Sequence, residues 1–121
     1  MTFAYNSPPH RLVFGWGCRS KLADELAQMG CSRPMLVCSP RAVSTPEVKA
    51  LVAALSLKPE AVFTHAVTHA PMNAAHEGAE RVRALGADVL ISFGGGSPSD
   101  LTKGIALAVA EQGAIMPFVL E

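Results

Sequence analysis

The sequence lacks the features of a membrane-spanning, exported or nucleic-acid-binding protein. No uninterrupted apolar stretch reaches the ~18 residues that a bilayer-spanning helix needs, and residues 1–11 show no basic region followed by an apolar run. Acidic and basic residues balance at ten each, so no basic surface for nucleic acid is indicated. We therefore expect a cytoplasmic protein with a small-molecule partner and with neither a membrane nor a nucleic acid as partner.

Cysteine and histidine are scarce and are not spaced for metal chemistry. Cys18, Cys31 and Cys38 are an odd number with no CxxC pair, so we predict reduced thiols that fill the core. His65 and His69 lie four residues apart, but they precede a loop and lack the glutamate of an HExxH motif. We interpret them as exposed loop histidines and predict no metal ligand in the chain.

Hydrophobic residues make up 50% of the 121-residue chain, which is enough for one domain with a single core. Short apolar runs alternate with longer amphipathic stretches, the pattern of a parallel sheet with crossover helices. We predict an α/β, Rossmann-like parallel sheet with helices on both faces. The predicted strands are residues 11–14, 35–38, 61–64, 89–93 and 115–120, with 2–5 as a partner of the first, and the strand over 89–93 is expected to be central.

Capping signals mark the predicted helices. Thr45-Pro46-Glu47 opens one helix, Asn73 is placed as the N-cap of the next, and Gly30 and Gly86 stand where helices commonly end. The helices are expected over 20–29, from 45, over 73–85 and over 98–111. Their predicted inward residues are Leu22, Leu26, Met29, Leu51, Leu55, Ala75, Ala79, Val82, Leu85, Leu101, Ile105, Ala108 and Val109.

The most informative segment joins the strand over 89–93 to the last helix and reads Gly94-Gly95-Gly96-Ser97-Pro98-Ser99-Asp100. Glycines let the backbone approach a ligand without a side-chain clash, and the free N–H groups of a helix's first turn favour an anion. Ligands of open α/β sheets bind at the carboxyl ends of the strands. The segment therefore predicts a loop that binds the pyrophosphate of a dinucleotide.

A simpler interpretation of this segment is a variant capping box that binds nothing. It would use Ser97 and Asp100 as caps, with Pro98 at the first helical position. Three consecutive glycines add nothing to such a cap and cost backbone entropy on folding, so we favour the phosphate site. The charge of Asp100 would repel a phosphate directly, and we expect this residue to order the loop as a cap.

The same segment, continued through Leu101-Thr102-Lys103-Gly104-Ile105-Ala106, resembles the GGGSxxDxxKxIA signature of the iron-containing (group III, metal-dependent) alcohol dehydrogenase family. Three further elements agree in the family's order: Phe14-Gly15-Trp16-Gly17, Pro71-x-Asn73 and Gly86-Ala87-Asp88. The resemblance covers essentially the whole chain. The runs His69-Ala70-Pro71-Met72 and Val13-Phe14-Gly15 favour the maleylacetate reductase branch.

The resemblance implies an NAD(P)-dependent oxidoreductase that moves hydride between a nicotinamide cofactor and an alcohol, aldehyde or keto substrate. Residues 1–121 would be its N-terminal dinucleotide-binding domain, of the dehydroquinate-synthase-like fold, truncated before an all-helical C-terminal domain. In the family an aspartate and three histidines of that second domain hold iron or zinc, so no metal ligand is expected here. The full-length enzyme is expected to be a homo-oligomer.

The resemblance also assigns the site residues. Gly94, Gly95, Gly96 and Ser97 would contact the cofactor, with Asp100 beside them. The family discriminates NAD from NADP at the end of the second strand, where Ser39 and Pro40 stand with Arg41 next to them. A small polar residue near an arginine is compatible with the 2′-phosphate of NADP, whereas a Rossmann domain that prefers NAD carries an acid there. The alternative for this segment is a plain turn.

Two other functions fit the sequence. One is a free-standing module that binds a nucleotide or phosphosugar and is complete as it stands. The other is a fragment of a dehydroquinate-synthase-like lyase, which shares the nucleotide domain.

Overall fold

Three parallel strands form the described sheet in this computed structural model, which describes residues 18–64 and 72–110 except the side chains of Cys18, Arg19 and Met72. Strand β1 is Pro34–Val37, β2 is Val62–Phe63 and β3 is Val89–Ser92, and their order is β2-β1-β3. The parallel sheet confirms the predicted fold class. The strands predicted over 2–5, 11–14 and 115–120 lie outside the described residues, as do His65 and His69.

Strands β2 and β3 are shorter than predicted and β1 is shifted by one residue, but the hydrogen bonding continues past the strand ends. The N–H of Cys38 donates to the carbonyl of Phe63 at 3.1 Å, and the N–H of Phe93 donates to the carbonyl of Val37 at 3.0 Å. The three strands are therefore held together up to the edge where their carboxyl ends emerge.

The described sheet does not test the predicted central position of β3, because the predicted strands over 2–5, 11–14 and 115–120 lie outside the described residues. Within the described sheet β1 is the central strand, since Leu36 lies opposite Val62 on one side and Ile91 on the other. Met35, Leu36 and Val37 have no exposed surface, whereas every residue of β3 keeps some exposure. An apolar run indicates that a strand is buried but carries no information on which strands pair with it, so the sequence pattern did not distinguish β1 from β3.

Within the described ranges four α-helices accompany the strands, and three of them cover the two faces of the sheet. They are α1 (Leu22–Gln28), α2 (Pro46–Ala54), α3 (Met72–Leu85) and α4 (Gly96–Ala110), with short 3₁₀ turns at Cys18–Lys21, Ala42–Ser44 and Pro59–Ala61. Because successive side chains of a strand point to opposite faces of the sheet, β1 contributes side chains to two separate cores. Met35 and Val37 pack with α3 and α4 on one face, and Leu36 packs with Val48 of α2 on the other. Helices on both faces confirm the prediction.

The helix ends agree largely with the capping signals. The Thr45 hydroxyl accepts the Val48 N–H at 3.4 Å, with Pro46 at the first helical position. Gly30 and Gly86 follow α1 and α3 with φ values of 75° and 65°, the left-handed conformation that glycine adopts most easily. Helix α2 ends differently, because Ser56 takes the left-handed position with φ 53°. The sequence carried no glycine to mark that end.

Three helix details were predicted wrongly. Met29 lies beyond the end of α1 and is 64% exposed, because the helix stops at Gln28 before its side chain can turn inward. Asn73 is the second residue of α3 rather than its N-cap, since the helix begins at Met72. Leu55 is only half-buried, and Val48 and Leu51 are the buried residues of α2.

Helices α3 and α4 approach each other closely at Gly78. A Cβ at this position would stand 2.4 Å from Cδ1 and 2.6 Å from Cγ1 of Ile105, and 3.3 Å from Cε2 of Phe63. Ile105 has no exposed surface, so its side chain has little room to move. Across the same pair of helices, a Cβ at Gly104 would stand 3.3 Å from the Cβ of Ala75. The close packing of α4 against α3 thus requires a residue without a side chain at position 78, which glycine provides.

At the amino end of the sheet, Asp88 joins β3 to β1. Its carboxylate accepts the N–H groups of Ser32 at 3.0 Å and Arg33 at 2.9 Å, and its own N–H donates to the Arg33 carbonyl at 2.9 Å. The Arg33 Nε also donates to the Gly86 carbonyl at 2.6 Å. The backbone N–H of Ser32, followed by that of Arg33, lowers the pKa of Asp88 because both stabilise the ionised carboxylate.

We expect the Asp88→Asn variant to be less stable than the parent chain near neutral pH. An amide presents one acceptor oxygen to two N–H donors, whereas the carboxylate satisfies both. Because the pKa is lower in the folded state, the stabilisation from Asp88 is complete above its unfolded pKa and is lost as pH falls through its folded pKa. Denaturant titrations from about pH 6 to about pH 3 should therefore converge for the two proteins as the pH falls.

Glu80 provides the matched control for this measurement. It is exposed on α3, and no hydrogen bond of the described residues involves its carboxylate. Glu80→Gln should leave the free energy of unfolding nearly unchanged at each pH. Equal effects of the two substitutions would contradict the role assigned to Asp88.

Candidate nucleotide-binding site

The structure brings the two predicted halves of the site to one edge of the sheet. Val37 of β1 lies opposite Ser92 of β3 in a parallel pair. Continuing this register by two residues places Ser39 level with Gly94. The Ser39-Pro40 segment and the glycine loop, defined as Gly94–Ser97, therefore leave the sheet side by side at the carboxyl ends of neighbouring strands.

Gly94 makes the sharp turn out of β3. Its φ is 123°, a conformation that residues with a side chain rarely adopt. The turn is also closely packed, because a Cβ on Gly94 would stand 3.1 Å from Cγ of Pro98. Glycine at this position is explained by the backbone and by the proline ring, without reference to a ligand.

Gly95 and Gly96 have no such internal explanation. Neither has a positive φ, and a Cβ at either position would meet no atom of the described residues within 4 Å. Both residues are exposed. The surface beside them is therefore open, and side chains there would fill space that the fold itself leaves free. A diphosphate needs such a surface to reach backbone N–H groups, so these residues fit a dinucleotide.

The start of α4 rules out the capping box. The helix begins at Gly96, so Pro98 is its third residue rather than its first, and Ser97 already lies inside the helix. Proline is tolerated there because the N–H groups of a first turn have no partner inside the helix. The first N–H that bonds to the preceding turn is that of Ser99, which donates to the Gly95 carbonyl at 3.4 Å.

Three backbone N–H donors at the N-terminal end of α4 consequently have no backbone acceptor among the described residues. They are the N–H groups of Gly95, Gly96 and Ser97, since Pro98 has none, and no backbone hydrogen bond among the described residues involves them. They stand at the positive end of a helix of 15 residues. The arrangement offers an anion a set of consecutive donors on an accessible surface.

Asp100 does not cap this helix, contrary to the expectation. It lies beyond the first turn, is exposed, and forms no hydrogen bond with the glycine loop among the described residues. Its position four residues after Gly96 puts the two on the same side of α4. Membership of Asp100 in the site stays a prediction.

The segment after β1 forms a turn. The Ser39 Oγ and the Ser39 carbonyl both accept the Ala42 N–H, at 3.1 Å each, and the Arg41 carbonyl accepts the Ser44 hydroxyl at 3.2 Å. The Ser39 hydroxyl keeps its hydrogen for another acceptor. Pro40 and Arg41 are exposed. The plain-turn interpretation is thus correct for the backbone and leaves the arginine side chain available at this edge.

One contributor to the site was missed by the sequence reasoning. Pro98 was assigned only to helix initiation, but it is buried and its ring covers Gly94. The only sequence signal was a proline four residues after the first glycine of the loop, and spacing of that kind does not reveal a contact.

Within residues 18–64 and 72–110, no three His, Cys, Asp or Glu side chains are grouped to hold a metal ion. In that part of the chain Cys31 and Cys38 are free thiols, and burial raises the pKa of the Cys38 thiol. Cys38 fills the core as predicted. No helix of the described ranges combines the length and apolarity that crossing a membrane requires.

Comparison with known proteins agrees with this geometry. The sequence pattern of the family described as "Iron-containing alcohol dehydrogenase" matches residues 9–120. Maleylacetate reductase from Rhizobium sp. strain MTP-10005 is 36% identical over 115 residues, which are 95% of this chain and 32% of that protein. The crystal structure of the Rhizobium enzyme superposes with a TM-score of 0.77 at 36% identity, over 90% of this chain and 31% of the other.

Maleylacetate reductase from Agrobacterium tumefaciens gives a similar result, with a TM-score of 0.77 and 34% identity over 91% of this chain and 31% of the other. The chain therefore spans about a third of the length of the relatives it matches. A match to nearly the whole chain, together with a shared fold at more than 30% identity, establishes the relationship. The chain belongs to the iron-containing alcohol dehydrogenase family.

Proposed function

We propose that this chain is the dinucleotide-binding domain of an NAD(P)-dependent oxidoreductase, and that Gly94–Ser97 binds the pyrophosphate of the cofactor. The complete enzyme would transfer hydride between the nicotinamide and an alcohol, aldehyde or keto substrate. Relatives named maleylacetate reductase favour a reductase of that branch. Residues 1–121 would precede a helical domain that carries the metal and contributes most of the substrate site.

The observation that carries the proposal is the open surface at Gly95 and Gly96. Neither glycine is required by its backbone conformation or by a packed neighbour, unlike Gly94. The fold therefore does not explain why these two residues are glycine. Their own N–H groups and that of Ser97 lie at the start of α4. A ligand that approaches the backbone closely and carries negative charge accounts for both facts.

In this function the chain's residues bind and orient the cofactor. The N–H groups of Gly95, Gly96 and Ser97 donate to pyrophosphate oxygens, and the dipole of α4 adds to the attraction. When bound, the nicotinamide supplies or accepts the hydride. Asp100 borders the glycine loop without touching the phosphates, since its charge would repel them. We propose that the iron or zinc is held by the helical domain, as the family resemblance implies.

The segment after β1 favours acceptance of NADP. By register, Ser39 lies beside the glycine loop, so a cofactor whose pyrophosphate contacts Gly94–Ser97 brings its adenosine ribose near Ser39 and Pro40. No carboxylate stands in Ser39-Pro40-Arg41 to bind two ribose hydroxyls or to repel a phosphate. The Arg41 guanidinium is exposed and suited to a 2′-phosphate. For the full-length enzyme, the proposal also includes a cytoplasmic location and a homo-oligomeric state.

Calorimetric titration of the chain with NADH, NADPH and ADP-ribose tests the proposal. We expect saturable binding of all three, because each carries the diphosphate, and NADPH should bind at least as tightly as NADH because of Arg41. Adenosine is the control ligand, since it shares the base and ribose but has no phosphate, and it should bind much more weakly.

Two outcomes would count against the proposal. If ADP-ribose and adenosine bind equally weakly, the glycine loop is not a diphosphate site. If NADH binds and NADPH does not, the diphosphate site stands but the role given to Arg41 is wrong.

A further inference from the structure

The glycine loop has very little internal support. On one side it is anchored where the Phe93 N–H donates to the Val37 carbonyl, and on the other it is anchored where the Ser99 N–H donates to the Gly95 carbonyl. Between these points, potential Cβ positions on Gly95 and Gly96 face open space. Glycine loses more conformational freedom on folding than any other residue, so this triplet would be loosely ordered without a further contact to hold it.

Among the described residues, Pro98 supplies the one close side-chain contact of the triplet. Its Cγ and Cδ lie 3.1 Å and 3.9 Å from the position of a Cβ on Gly94, so the ring packs against the side of Gly94 that a side chain would occupy. The ring is buried, and the Pro98 carbonyl accepts the Thr102 hydroxyl at 2.7 Å. Pro98 is therefore fixed by its own φ, by burial and by the next turn of α4.

We propose that Pro98 is a positioning residue of the nucleotide site, which holds Gly94 in its turn and thereby sets the N–H groups of Gly95, Gly96 and Ser97 before a ligand arrives. The inference rests on the proposed function of the loop. Its physical basis is preorganisation: the ordering of the triplet is completed during folding, so it does not reduce the affinity for the ligand. Proline also removes the N–H at the third helical position, which leaves the donors confined to the loop.

The Pro98→Ala variant tests this inference. Alanine is a good helix residue, so the helix should persist, but the ring that packs against Gly94 is lost. We expect the affinity for ADP-ribose to fall about two- to fivefold, the range that one proline's restriction of the backbone commonly produces. The loss should appear in the binding entropy, because the variant must order the loop when it binds. Backbone NMR order parameters of Gly95 and Gly96 in the free chain should become lower.

A second variant separates positioning from general stability. Ala108→Gly lies in α4 away from the loop, is buried, and should destabilise the fold. Measured at a temperature where all variants are fully folded, Ala108→Gly should bind ADP-ribose with the parent affinity. Parent affinity and parent order parameters at Gly95 and Gly96 in Pro98→Ala would overturn the inference. Absence of ADP-ribose binding in the parent chain would instead refute the proposed function, so the two failures are distinguishable.

Discussion

Substitution of Gly95 by valine is expected to weaken the binding of NADH and ADP-ribose by at least about tenfold, or ~1.4 kcal/mol. The added side chain would occupy the open surface beside the loop and keep the diphosphate from the three backbone donors. The fold should tolerate the change, because a Cβ on Gly95 meets no atom within 4 Å and its φ is not positive. Calorimetry of the variant measures the loss directly.

The control for this variant is Lys21→Val. Lys21 occupies the same N-cap position relative to α1, is exposed, and makes no side-chain capping bond there. Both substitutions place valine at a helix start, which should change the free energy of unfolding by about 1 kcal/mol or less. Only Gly95→Val should lose affinity. Unchanged affinity in Gly95→Val would show that the open surface is not where the ligand binds.

The second large effect concerns the contact between α3 and α4. Ile105→Ala should lower the free energy of unfolding by about 2–5 kcal/mol, because Ile105 is fully buried and its removal leaves a cavity. Gly78→Ala alone should also destabilise, since overpacking costs about 1–3 kcal/mol and the gain in helix propensity is about 1 kcal/mol. Denaturant unfolding followed by circular dichroism measures each variant.

Combining the two substitutions gives the sharper test. In the Ile105→Ala background the atoms that a Cβ at Gly78 would meet at 2.4 Å and 2.6 Å are gone, so the second change should become stabilising. The resulting coupling should be about 1–3 kcal/mol. Gly104→Ala is the matched control, because its Cβ would make only one tight contact, 3.3 Å from Ala75. Gly78→Ala that stabilises the parent chain would contradict the close packing of the helices.

Much of the fold followed from local sequence signals. The parallel strands, the cap at Thr45, and the helix ends at Gly30 and Gly86 were all predicted correctly. The cap and the helix ends depend on residues that lie within a few positions of each other, and the parallel sheet was predicted from the alternation of short apolar runs with amphipathic stretches. The errors at Met29, Asn73 and Leu55 displace a helix boundary or the buried face of a helix by one or two residues.

The site was predicted as a list of residues but not as an arrangement. Sequence reasoning selected Gly94 to Ser97 and Ser39-Pro40 separately, and the register between β1 and β3 places them beside each other. It also treated the three glycines as equivalent. The structure distinguishes Gly94, which its φ and Pro98 require, from Gly95 and Gly96, for which neither a positive φ nor a packed neighbour among the described residues requires glycine.

By itself the sequence determined the elements of this protein, its family and the loop that would meet a phosphate, because periodicity, caps and glycine runs act over short distances along the chain. The tertiary structure decided that β1 pairs with both β2 and β3 in the described sheet, that the Pro98 ring packs against Gly94, and that Ile105 leaves no room for a side chain at Gly78. Those facts depend on contacts between residues far apart in the chain or on the three-dimensional course of a turn. A pattern of residue types does not specify which surfaces meet.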